Sequence, residues 1–92
     1  MLFMLNTRPK AEATREELVA RLTQRLNPAT WDLIRYGILS HVLYKVGDEP
    51  GFFAVLNAPT LKEAQAMVAG GAERLEVFDL EITPVNQFPH FD

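Results

Sequence analysis

His41 sits within Ile38-Leu39-Ser40-His41-Val42-Leu43-Tyr44, a stretch that is otherwise mostly apolar. Imidazole is the side chain best suited to exchange a proton near neutral pH, so a histidine in such company is a candidate general base. The plainer alternative is a hydrogen-bonded histidine at a surface or interface. Tyr44, three residues on, and Tyr36 could each donate a hydrogen bond to a substrate oxygen. An amphipathic tyrosine at an element's end more commonly packs its ring and wets its tip. Asp79 and Glu81 are two apart in Phe78-Asp79-Leu80-Glu81-Ile82, which puts both carboxylates on one face of a strand. There they could share a proton and act as a base, or form a charged edge that discourages stray sheet pairing. Phe52 and Phe53 offer aromatic rings to opposite faces of a third strand, and Trp31 reads as a core or interface anchor. The two histidines, His41 and His90, lie far apart with no carboxylate at ligand spacing, and cysteine is absent, so neither a metal site nor thiol chemistry is expected.

These residues must be positioned by elements whose order is legible. Apolar residues 2–8 read as a strand ending at Pro9, and Thr14-Arg15-Glu16-Glu17 is a helix-start box in which Thr14 and Glu17 can bond each other's backbone N–H. Leu18, Val19, Leu22 and Leu26 follow at helical spacing. Pro28 interrupts the pattern, where a proline inside a helix costs about 3 kcal/mol, so 14–26 and 28–36 are expected as one bent helix closed by Gly37. Ile38 to Val46 is the second strand, Gly47-Asp48-Glu49-Pro50-Gly51 a turn, and Phe52 to Asn57 the third strand. Thr60-Leu61-Lys62-Glu63 opens a second helix whose Leu61, Ala64, Met67 and Val68 should face inward, with Gly70-Gly71 closing it. A last strand runs from Leu75 to about Val85, with Phe78, Leu80 and Ile82 toward the helices and Val77, Asp79, Glu81 and Thr83 on the other face. This βαββαβ order predicts an α+β, ferredoxin-like fold: a four-stranded antiparallel sheet with two helices on one face.

Residues 1–92 are read as a single domain of ordinary apolar content, 48%. Covering one sheet face leaves the other bare, which favours a homodimer or higher homo-oligomer. Residues 86–92, with Phe88, Pro89, His90 and Phe91, are expected to dock on a neighbouring subunit or close over a pocket. A formal charge of −3 with the basic residues dispersed argues against nucleic acid as a partner. The apolar start Met1-Leu2-Phe3-Met4-Leu5 is too short for a signal peptide core and reads as strand, no membrane partner is expected, and a chain without cysteine fits the cytoplasm.

Met1-Leu2-Phe3, Gly37 with His41 four places later and Gly47 ten places later, and the closing Leu80-Glu81-Ile82-Thr83-Pro84 resemble the muconolactone delta-isomerase family over most of the chain. That resemblance implies a dimeric α+β barrel that needs no cofactor and moves a double bond in an unsaturated lactone by proton transfer, in the breakdown of aromatic compounds. His41 matches the family's strand-two histidine. Met4 stands where the isomerases have histidine, Asn6 and Tyr44 replace basic residues, and Leu39-Ser40 replaces a tryptophan-arginine pair. A carboxylated lactone calls for cationic partners, so the family's own substrate fits this chain poorly. The site expected is therefore His41 and Tyr44 as catalytic groups, with Met4, Asn6, Phe53 and Asp79 binding a small organic acid, lactone or ketone. Two other readings stay open on the same fold: a ligand-binding or assembly module without catalysis, and a cofactor-free monooxygenase.

Overall fold

The computed structural model describes residues 1–70 and 75–86. Four strands, β1 (Leu2–Pro9), β2 (Leu39–Tyr44), β3 (Phe52–Asn57) and β4 (Phe78–Val85), form one antiparallel sheet in the order β2-β3-β1-β4. The helices are α1 (Arg15–Thr23), α2 (Pro28–Arg35) and α3 (Leu61–Ala69). This is the ferredoxin-like arrangement expected, with β1 and β3 as the central strands.

Alternation along the strands decides which face the helices cover. Phe3, Leu5 and Thr7 of β1 and Ala54 and Leu56 of β3 are buried, and Leu80 and Ile82 of β4 pack against them. Ala64 of α3 joins the same cluster, with Met67 and Val68 beside it. Three fully buried or nearly buried alanines, Ala54, Ala58 and Ala64, let α3 approach the sheet closely. Leu18 of α1 packs on Phe78 and Val77. All helices thus share one side, and Met4, Asn6, Phe53, Val55, Asp79 and Glu81 face the other.

Several boundaries differ from the sequence reading. The first helix is two: α1 stops at Thr23, and α2 restarts at Pro28 behind an Asn27 cap whose Oδ1 accepts from the Thr30 N–H at 2.8 Å. Proline at a first helical position loses no hydrogen bond, and the residue before it prefers extended backbone, so a restart is cheaper than a kink. The predicted box does start α1, with Thr14 and Glu17 bonding each other's backbone. Gly37, at φ +74, ends α2 in a Schellman turn in which Ile38 N–H donates to Leu33 and Gly37 N–H to Ile34. β4 starts at Phe78 rather than Leu75, so Val77 precedes the alternating run and is buried beside Leu18, not placed on the open face. Val19 and Leu61, expected inside, are 41% and 43% exposed, because each helix turns only a narrow stripe to the sheet. Of the expected 86–92 segment only Asn86 is described; His90 and Gly71 also lie outside the described residues.

Candidate functional site

Between the sheet and α2 lies a pocket of about 270 Å³. Its floor comes from Leu5, Leu56 and Leu80 of the sheet, its roof from Leu33 and Ile34 of α2, and one flank from Met67 and Val68 of α3. Leu26, in the α1–α2 connection, also reaches it. The restart at Pro28 makes α2 a separate helix, and it is this helix that supplies the roof. Among the described residues three polar side chains line it: Thr7, Thr30 and Tyr44.

Tyr44 reaches the pocket through an irregularity in β2. Leu39 is opposite Leu56 and Ser40 opposite Val55, but Leu43 is opposite Phe53, so His41 and Val42 together span the place of Ala54 alone. Strict alternation would send Tyr44 to the same face as Ser40. The extra residue of this β-bulge reverses the parity, carrying Val42 and Tyr44 to the helix side and Leu43 to the open face. His41 is the hinge of that reversal, with φ +50, the one non-glycine residue at positive φ among those described. Strain of this kind in a side-chain-bearing residue collects at functional positions. The His41 ring is exposed, with Nδ1 3.0 Å from Ser40 Oγ, and is not part of the pocket wall.

A polar knot braces the pocket's end. Thr7 Oγ1 accepts from the Phe52 N–H at 2.8 Å and donates to the Phe52 carbonyl at 3.2 Å, so a side chain takes over where the β1–β3 ladder ends at Asn6 and Phe53. Lys45 Nζ donates to the Thr7 carbonyl at 2.6 Å and lies 5.0 Å from the centre of the Phe53 ring, a cation–π distance. Lys45 is the lysine nearest the pocket in sequence, and its charge is engaged outside it.

The residues singled out in the sequence are divided between two faces. Tyr44 lines the pocket, whereas Met4, Asn6, Phe53 and Asp79 lie on the open sheet face, where Asn6 is opposite Phe53 on one side and Glu81 on the other. Arg8 sits opposite Asp79 and pairs with Glu81 at 3.1 Å, an exposed ion pair of little energetic weight. Asn6 Oδ1 is buried with no hydrogen-bond partner among the described residues. Sequence patterning does not mark Thr7, Thr30 or the α2 residues Leu33 and Ile34 as pocket residues; a threonine in the alternating inward run Phe3, Leu5, Thr7 is the one available signal. Among the described residues no three His, Cys, Asp or Glu side chains come together to hold a metal ion, and no helix is long and apolar enough to cross a membrane.

A four-stranded antiparallel sheet in this order, helices on one face and an apolar pocket beneath them define an α+β protein of ferredoxin-like fold. Along its whole length the chain is similar to muconolactone isomerase, with a TM-score of 0.62 and 15% identity over 98% of that chain. It is similar as well to 5-chloro-2-hydroxyhydroquinone dehydrochlorinase from Burkholderia phenoliruptrix AC1100, solved with 2,5-dihydroxybenzoquinone: the TM-score is 0.66 and identity 14%, with both chains covered in full. No protein-family model and no curated protein matches the chain. At these identities the likeness establishes a common fold, the one that the sequence resemblance implied.

Proposed function

We propose that the chain is a cofactor-independent enzyme that isomerises a small lactone or ketone by proton transfer, in the breakdown of aromatic compounds. The observation that carries this reading is the pocket of about 270 Å³ with a tyrosine at its mouth, an apolar space with few polar groups of the kind that binds small molecules. Two enzymes of like fold, named for a lactone and a chlorinated hydroxyhydroquinone, support the substrate class. In this reading Tyr44 Oη donates to the substrate's carbonyl oxygen. A base takes the proton from the carbon beside that carbonyl, the electron pair moves onto the oxygen as an enolate, and the proton returns to the far end of the extended system. His41, whose exposed ring lies outside the pocket wall, is the base this reading assigns, and it can serve only a carbon held at the mouth.

The test is conversion of α-angelica lactone, an unsaturated lactone without a carboxylate, to its conjugated isomer, followed by NMR in D2O. We expect deuterium at the migrating position, with turnover lower by about 10²-fold or more in His41→Gly and in Tyr44→Phe, the usual reach of one proton-transfer group. Glycine suits φ +50, so the first variant removes the imidazole and keeps the bulge. Wild-type turnover in both variants overturns the residue assignment. That no His, Asp, Glu, Lys or Arg among the described residues lines the pocket favours a second reading, a small-molecule carrier. Tyr44-dependent binding without exchange would establish the carrier instead.

The open face completes the reading as the seat of a second copy. Leu43 is 62% and Phe53 40% exposed there, an apolar patch that an apposed sheet can cover. Sedimentation velocity should show a dimer or larger assembly for the wild type and a monomer for Phe53→Lys. A monomeric wild type rules this interface out.

A further inference from the structure

The pocket also specifies the charge of what it holds. Resting on the reading of this space as the ligand site, we infer that its ligand is an uncharged ring compound, one substituted ring or a fused pair, that carries an oxygen for Tyr44 and no carboxylate. Among the described residues no lysine, arginine or histidine lines the pocket. The hydroxyl of Thr7 is occupied with both backbone groups of Phe52, so it has no proton to give a ligand. Lys45, next to Tyr44 in sequence, spends its charge on the Thr7 carbonyl and over the ring of Phe53, which stands on the open face of the sheet. A carboxylate brought among Leu5, Leu33, Leu56 and Leu80 would lose its water and meet no positive partner among the described residues, which disfavours the ion strongly. Size gives the second limit. A dry cavity of about 150 Å³ walled by Leu, Ile and Phe accepts benzene, so about 270 Å³ accommodates a second ring or bulky substituents. Tyr44, 58% exposed at the mouth, fixes where the ligand's oxygen must lie: at the outer end, with the apolar ring inward.

A matched pair of probes isolates the charge. 2-Naphthol and 2-naphthoate share a ring system and differ at pH 7 in bearing a neutral hydroxyl or an anionic carboxylate. Each is titrated into 13C-methyl-labelled protein, reading the methyl groups of Leu33, Ile34 and Val42. We expect 2-naphthol to shift these methyls, 2-naphthoate to bind at least tenfold more weakly, and Tyr44→Phe to weaken 2-naphthol about fivefold. The exposed tyrosine makes that variant safe for folding. If 2-naphthoate binds as tightly as 2-naphthol through the same methyls, the charge inference is overturned while the pocket remains the ligand site. If neither probe moves the pocket methyls, the pocket itself is wrongly assigned and both readings go.

Discussion

Gly51→Ala is expected to destabilise the protein by about 3 kcal/mol, although it adds one methyl group in a turn. A Cβ at Gly51 would lie 2.6 Å from Thr7 Oγ1 and 3.2 Å from Lys45 Cδ. The lysine stem can swing aside. Thr7 cannot, because it is 1% exposed and its hydroxyl holds both the N–H and the carbonyl of Phe52. Overpacking in a filled region costs about 1–3 kcal/mol, and a buried backbone group left without a partner costs about 1–3 kcal/mol more. For a domain of this size each kcal/mol moves the melting temperature by about 4–8 °C, so a fall of roughly 15 °C should appear in thermal unfolding. Thr7→Ala in the same chain removes the obstructing oxygen, so the double variant should be no less stable than Thr7→Ala alone. A Gly51→Ala protein within about 0.5 kcal/mol of wild type, small enough to count as a surface change, would mean that the knot does not hold the end of β1.

How far the sequence reveals the site depends on which physical signal positions each residue. Strand order, the covered face and the caps at Thr14 and Thr60 follow from period-2 alternation and local hydrogen-bond chemistry, which short windows contain. Phe78, Leu80 and Ile82 were legible as inward for that reason, and each lies on the helix side. Tyr44 was legible as a candidate but its face was not. The β2 bulge arises from pairing with β3, and nothing local at Ser40-His41-Val42 announces that one residue will be left over. Leu39 and Leu43, four apart and so on one face of a regular strand, are separated for the same reason: Leu39 packs toward the core before the bulge, and Leu43 turns outward after it. Asn6 and Phe53 were both legible as candidates but not as ladder partners, and they stand on the face opposite Tyr44, because the parity that relates them to β2 is set at His41. The pocket roof was illegible too: it depends on α2 being a separate helix, a choice between kink and restart that Asn27 and Pro28 decide together.

Phe78→Ala should be the most damaging single change, and its damage should be partly reversed by an uncharged ligand. Phe78 is 1% exposed, packs on Leu18 and Val77, and also lines the pocket, so it is the wall between the α1 cluster and the ligand space. Truncating a buried phenylalanine costs about 3–5 kcal/mol, most where the surroundings cannot close in. Collapse is blocked here by β4 itself, since Phe78 is held opposite Pro9 in the ladder. The total stability of a chain this long is about 5–14 kcal/mol, so the variant should melt far below wild type and could be largely unfolded at room temperature. Phe78→Leu, which keeps most of the volume, should lose less than half as much and gives a folded reference. Because the hole joins the pocket, a fused-ring ligand fits the variant better than the wild type. Ligand at a hundred times its dissociation constant adds about 2.7 kcal/mol to the folded state, so 2-naphthol should raise the melting temperature of Phe78→Ala by more than it raises that of wild type. Equal shifts in the two proteins would place Phe78 away from the ligand and confine its role to anchoring α1.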